Sequence, residues 1–351
     1  VKLKNFDFGK SKSRVKAAKQ KFIPLPTKMQ KKAEIISQLN EWGRQKIPFV
    51  FLFDFACKNP IIFTLNNPLS EVFYTIPGFF NSFETFKKVE LKNWKTSPVS
   101  FEKFSAGFNQ VMWHIKNGDT YLLNFTQTTC IETNLSLGEI FQISSAPYKI
   151  YLKDKFVCFS PETFVKIRNG KIYSYPMKGT IDAGIENAEQ LILNDSKEIA
   201  EHNTIVDLIR NDLSLVAENV VVEKFRYLSY IQTNQKNLWQ VSSEISGELP
   251  KNYCENIGDI LFTLLPAGSI SGAPKKKTLE IIEKTENYDR GYYTGIFGIF
   301  DGKNLDSCVL IRFIENQNGQ LVYKSGGGIT FMSDAEKEYD EMLKKVYVPI
   351  V

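Results

Sequence analysis

Histidine is nearly absent: His114 and His202 are the only two in a chain of 351 residues. That scarcity argues against a Ser-His-Asp triad and against a multi-histidine metal centre. Cysteine is sparse too. Cys57, Cys130, Cys158, Cys254 and Cys308 are odd in number, widely spaced and without a C-x-x-C pair. This excludes a zinc knuckle and fits the reduced thiols of a cytoplasmic protein. Any metal would therefore rely on carboxylates, which favours Mg²⁺. No apolar run approaches the ~18 residues of a membrane span. The longest candidate, residues 47–57, is interrupted by Pro48 and Asp54 and reads as a buried strand. No apolar signal core follows the basic start, so neither secretion nor membrane association is expected.

The composition that is present, 43% hydrophobic and 24% charged, is that of a soluble globular protein. The net charge of +5 is concentrated at the start, where Lys2, Lys4, Lys10, Lys12, Arg14, Lys16, Lys19 and Lys21 meet almost no acids. Residues 1–28 read as a basic, poorly ordered segment. A nucleic-acid-binding arm is the alternative from a different functional class, but the body has no basic stripe to extend it, and nucleic acid is not an expected partner. From residue 29 onward no low-complexity linker or fixed repeat interrupts the chain, and 29–351 reads as one large domain.

Periodicity supplies the elements. Ile35, Leu39 and Trp42 mark a short helix ended by Gly43, and Phe104, Phe108, Met112 and Ile115 mark another that stops at Gly118. A long helix or helix pair is expected over 195–216 and a final helix over 333–346. Strands are expected at 49–55, 72–76, 121–131, 220–230 and 238–249. Hairpin turns at Asn169-Gly170, Asp301-Gly302 and Asn318-Gly319 outnumber parallel crossovers. The fold class is α+β, with mainly antiparallel sheets packed in a sandwich and helices outside.

Residues 160–180 carry the first chemical signal. S-P-E-T-F leads into the hairpin at Asn169-Gly170, and P-M-K-G-T follows it. Closing the hairpin would bring Glu162 and Lys178 together, a carboxylate and an amine able to act as acid/base and nucleophile. A surface ion pair beside a turn is the plainer account. The second signal is two carboxylate pairs at helical spacing, Glu198 with Glu201 and Glu338 with Glu341. Each pair lies on one face, and like charges so placed call for a compensating cation. Facing each other, the pairs would hold a Mg²⁺ ion that keeps waters and takes a substrate carboxylate. Two solvated helix faces are the alternative. Ser333 and Glu336 have the spacing of a capping box for the last helix.

Two further stretches suit anion binding. L-P-A-G-S-I-S-G-A-P-K, residues 265–275, is a glycine- and serine-rich loop opening a helix, but Ala273 and Pro274 after Gly272 exclude a P-loop. Gly326, Gly327 and Gly328 allow a ligand close to the backbone or simply form a flexible turn. Arg312, in the apolar run C-V-L-I-R-F-I-E, wants an anionic partner.

Taken in order, these segments resemble the chorismate-utilising enzymes. The resemblance runs from G-D-T-Y-L-L-N-F-T-Q at 118–127 to the last helix. It includes K-E-I-A-E-H-x-x-x-V-D-L-I-R-N-D-L at 197–213 and R-G-Y-Y-T-G at 290–295. It implies a chorismate-binding catalytic domain over 29–351 with the fold of anthranilate synthase component I. Mg²⁺ would be held by Glu201 and Glu341, with Glu198 and Glu338 acting partly through water. Arg312, Tyr293 and the backbone of Gly326, Gly327 and Gly328 would hold the enolpyruvyl carboxylate, assisted by Ser269 or Ser271. The residue before Gly-Thr separates reactions in this family, and Lys178 there points to the aminodeoxychorismate synthase component I branch. Anthranilate synthase, which typically has Ala at that position, is the alternative, and Leu122 replaces the water-activating lysine of isochorismate synthases. The resemblance implies that Lys178 attacks the ring, with Glu162 as general acid and Thr180 orienting the leaving hydroxyl. The attack needs a neutral Lys178, hence a lowered pKa. Ammonia would come from a glutamine amidotransferase subunit. One departure stands out: Gln240 occupies the place where the family often has His.

Overall fold

The computed structural model describes residues 28–81, 89–231 and 237–350. The basic stretch 1–27 lies outside the described residues. Two nine-stranded sheets, built of antiparallel ladders, form the frame. The strand Phe49–Phe53 shows how they are covered, since all five of its side chains are buried. Phe49, Phe51 and Phe53 point to one face, among Ile205, Leu261 and Ile257 of the helices. Val50 and Leu52 point the other way, into a core shared with Ile150, Cys158 and Phe313 of the opposite sheet. Alternation on a pleated strand produces this two-sided burial, and helices close the outer face. Each fully buried phenylalanine contributes about 1.5–3 kcal/mol. The sandwich with outer helices expected above is the observed arrangement.

The second sheet has its own helical cover. Phe101–Lys116 begins at Ser100, whose hydroxyl accepts from the Lys103 N–H at 3.3 Å. It lays Phe104, Phe108 and Met112 on Leu123 and Phe125, where Met342 of the last helix joins the cluster. Gly107 permits the close approach, because a methyl there would sit 2.6 Å from the Phe125 ring. The expected hairpins at Asn169-Gly170 and Asn318-Gly319 form, with Arg168 opposite Lys171 and Gln317 opposite Gln320. All four turn residues have positive φ, as a two-residue type I′ turn requires.

Two passages between the sheets position the site. Residues 160–162 carry the chain from Phe156–Ser160 in the second sheet to Thr163–Arg168 in the first. Residues 310–312 carry it back, from Leu305–Val309 to Phe313–Gln317. The passages run side by side. The Val309 N–H donates to the Glu162 carbonyl, and the Phe159 N–H to the Arg312 carbonyl, both at 3.1 Å. Arg312 adopts φ +56°. This corrects the reading of C-V-L-I-R-F-I-E as one strand: a left-handed residue ends the first ladder and turns the chain into the other sheet.

Of the two readings of the three glycines, the flexible turn is excluded. Gly326, Gly327 and Gly328 lie within the strand Gln320–Ile329, paired with Thr126, Phe125 and Asn124. The last helix, Ala335–Lys344, is capped by Asp334, whose side chain accepts from the Lys337 N–H. The expected Ser333–Glu336 box does not form. Ser333 instead donates to the Glu338 carboxylate at 2.8 Å.

Candidate active site

The long helix Ser196–Ser214 starts at Asp195, which caps it by accepting from the Glu198 N–H. Glu198 and Glu201 therefore lie in its first two turns, where the helix dipole favours negative charge. Glu338 and Glu341 occupy the corresponding part of Ala335–Lys344. The helices do face each other: Lys197 lies 3.5 Å from Glu201 Oε1 and 3.8 Å from Glu338 Oε1, bridging the two pairs. Gly327 forms the floor. A methyl on it would come within 3.3 Å of Glu338 Oε2, 3.5 Å of Glu341 Oε1 and 3.7 Å of Lys345 Nζ.

Lys178 enters this cradle from the strand Met177–Asp182, which pairs with Leu238–Glu248 across a bulge. Its ammonium lies 2.5 Å from Glu201 Oε2. Gly179 follows with φ +85°, and a methyl there would stand 2.8 Å from Glu198 Oε2. Only glycine suits both the backbone and the neighbour. The expected Glu162–Lys178 pair is thus corrected. The hairpin ladder spans Lys166 to Tyr173 and their neighbours, and beyond it the chain pairs with another strand, so Lys178 reaches Glu201 instead. Thr180 is exposed, opposite Gln240 in the ladder.

Burial alone would lower the Lys178 pKa, but the charge and hydrogen bond of Glu201, with Glu341 and Glu198 behind it, hold it above the usual lysine value. The expected lowering is not found, because the carboxylates outweigh desolvation. Burial raises Glu198 and Glu338 above the usual carboxylate range. Glu341 is pushed up by burial but pulled lower overall by Lys345, 2.7 Å away.

Glu162 and Arg312, on the neighbouring passages, form a second group. Ser269, in the short helix Gly268–Ser271, donates to Glu162 Oε1 at 2.7 Å. Ser271 is buried and donates to the Ala267 carbonyl, so Ser269 is the serine at the site. Burial raises the Glu162 pKa despite Ser269, Arg312 and Lys345, the direction that suits a general acid. The Arg312 guanidinium stacks 5.4 Å from the Tyr347 ring centre, and its buried Nε has no hydrogen-bond partner. Tyr293 is buried close by, its ring 5.9 Å from Phe313. A small, partly open cavity of about 20 Å³ lies beside Glu162 and Ser269, lined also by Pro176, Ile209 and Asp212.

Two lysines went unread in the sequence. Lys345 donates to the Gly326 carbonyl at 2.7 Å and joins the carboxylates to Arg312's surroundings. Lys197 spans the two helices. Both stand four residues from an assigned glutamate, Glu341 and Glu201, and that spacing is the signal that would have found them.

The donor set suits a hard divalent cation, since Glu198 Oε2 and Glu201 Oε1 are buried oxygens without a hydrogen-bond partner. As the side chains stand, no group of three or more His, Cys, Asp or Glu among the described residues is placed to hold a metal ion. Lysines hold the carboxylates instead.

The sheet sandwich belongs to the chorismate-binding enzymes. The model of that family, described as chorismate binding enzyme, matches residues 66–350, and the chain belongs to it. A Haemophilus influenzae protein described as an uncharacterized PabA-like protein is 51% identical over 316 residues, covering 90% of this chain and 96% of its own. Anthranilate synthase component 1 of Acetivibrio thermocellus is 34% identical, over 76% of this chain and 56% of that one. Aminodeoxychorismate synthase component 1 of Bacillus subtilis is 30% identical, over 72% and 55%. The chain thus spans nearly all of the Haemophilus relative and about half the length of the two synthase components. In structure it resembles anthranilate synthase component I of Streptococcus pneumoniae, with a TM-score of 0.61 at 26% identity, covering 74% of this chain and 60% of that chain. Among the described residues no helix is long and apolar enough to cross a membrane.

Proposed function

We propose that the protein aminates chorismate with ammonia, giving 4-amino-4-deoxychorismate, a step toward 4-aminobenzoate and folate. The observation that carries this is the place of Lys178 inside the carboxylate cradle, at the position that distinguishes the aminating branch. Glu201 and Glu341 would hold Mg²⁺, with Glu198 and Glu338 partly through water. When bound, the ion supplies positive charge that binds the ring carboxylate and neutralises the glutamates. Arg312, Tyr293 and the backbone of Gly326, Gly327 and Gly328 hold the enolpyruvyl carboxylate, and Lys345 adds a cation on the same side. Lys178, once its ammonium proton has passed to solvent, attacks C2 of the ring through Nζ while the C4 hydroxyl leaves as water with a proton from Glu162. Ammonia then bonds to C4, and the C2–Nζ bond breaks to return the lysine. Chorismate and ammonia thereby give the amino product and water. Ser269 holds one oxygen of Glu162, orienting the other for donation, and Thr180 steadies the departing hydroxyl.

The ammonia would be delivered by a glutamine amidotransferase subunit. Incubation with chorismate, Mg²⁺ and ammonium should yield 4-amino-4-deoxychorismate by chromatography and mass spectrometry. The identity to anthranilate synthase component 1 favours a second reading, formation of anthranilate. The same assay separates them, and anthranilate as the product would overturn the amination. So would a Lys178→Ala protein that forms the amino product at an unchanged rate.

A further inference from the structure

The cradle raises a question of occupancy. Glu201 has a side chain only 6% exposed, and one of its oxygens is committed to Lys178 at 2.5 Å. Its other oxygen, Oε1, has no hydrogen-bond partner and sees Lys197 only at 3.5 Å. Around it stand four carboxylates, Glu198, Glu201, Glu338 and Glu341, against three ammonium groups, Lys178, Lys197 and Lys345. A buried carboxylate left without a cation is costly. Lys178, Lys197 and Lys345 supply that cation as the protein stands.

We propose that Lys178 and the divalent cation compete for Glu201. In the metal-free protein the Lys178 ammonium stands in for the ion, and metal binding frees the lysine from Glu201. This rests on the Mg²⁺ reading above and adds a second role for Lys178, as the residue that sets metal affinity. The physical reason is that an ion on the open Oε1 would share one buried carboxylate with the Lys178 ammonium on Oε2. Two cations brought together in a site of low polarity also repel strongly. Metal binding and the Lys178–Glu201 bridge are therefore linked, and removing either strengthens the other. The competition also ties the amine's release to the arrival of the ion. Lys178 is unbound from its carboxylate only when Mg²⁺ is in place.

The test is the affinity for Mg²⁺ alone, measured by isothermal titration calorimetry on the full chain without chorismate. Lys178→Met keeps the length of the side chain and removes its charge. It should bind Mg²⁺ about tenfold more tightly than the parent, the scale of a lost close charge contact. Lys197→Met, which removes a cation at longer range, should gain clearly less, and Lys224→Met, paired with Glu244 away from the site, should not change. Affinity of Lys178→Met equal to or weaker than the parent's, or a gain no larger than that of Lys197→Met, would overturn the competition while leaving the metal reading intact. Failure of both the parent and Lys178→Met to bind Mg²⁺ would overturn the two together. Circular dichroism on each variant checks folding, and Lys178→Gln provides a second uncharged side chain should the methionine variant not fold.

Discussion

The ion pairs of two buried carboxylates, Glu286 and Glu201, are satisfied very differently. Arg290 and Glu286 are joined by two hydrogen bonds, at 2.7 and 2.6 Å. The guanidinium also donates to the carbonyls of Ile270 and Asn124 and to the Thr294 hydroxyl. Glu286 accepts in addition from the N–H and hydroxyl of Thr126. The Lys178–Glu201 pair has one short contact, and an oxygen of Glu201 and another of Glu198 remain unpartnered. A fully bonded pair ties three parts of the chain together and has nothing left to offer a ligand. An incompletely bonded pair stores an unmet demand for a cation or a donor, which is what a binding site needs. The difference separates scaffold from site more clearly than burial does, since both carboxylates are buried.

Substitutions can break that contrast from either side. The largest effect is expected for Lys178→Met, which should lower product formation by roughly 10³ or more while moving the melting temperature little. A large loss of stability would place this pair with the scaffold. Arg290→Met should behave the opposite way, losing about 3–5 kcal/mol in urea unfolding because it strands Glu286 in the interior. An unfolding curve close to the parent's would remove the distinction.

A pH experiment sharpens the comparison at His202, next to Glu201. His202 is fully buried, and its Nε2 lies 2.7 Å from the Ser243 hydroxyl. Burial and then Arg226 lower its pKa from 6.5 to about 4. The folded state thus binds fewer protons than the unfolded state across that window. The stabilising effect is complete above pH 6.5 and is lost as the pH falls toward 4, amounting to roughly 3 kcal/mol. In His202→Gln, the difference between urea unfolding at pH 7 and pH 4.5 should shrink by about 2 kcal/mol relative to the parent. An unchanged difference would show that His202 is not buried neutral.

The smallest effect belongs to Glu198→Gln. Removing one of four crowded carboxylates should raise stability at pH 7 by a few tenths of a kcal/mol, and weaken Mg²⁺ binding. Lower stability would mean that Glu198 is satisfied by the protein itself and belongs with Glu286.

Much of this was legible in the chain alone, and for local reasons. Phe104, Phe108 and Met112 repeat at helical spacing, and Asn-Gly needs positive φ, so a helix and two hairpins follow from near neighbours. Glu198 with Glu201, and Glu338 with Glu341, share a face by the geometry of one helix. The ordered motifs then marked the family. Tertiary structure decided who meets whom. Lys178 pairs with Glu201 rather than Glu162 because its strand leaves the hairpin for another partner. Arg312 turns between sheets instead of lying in one strand, and the three glycines form the floor of a ladder instead of a turn. The direction of the Lys178 pKa also reversed, since burial is a property of one residue while the opposing carboxylates arrive from two distant helices. Sequence determines short-range geometry through covalent spacing and backbone sterics. Charge pairing across distant segments depends on where the sheets place them, and only the folded arrangement decides it.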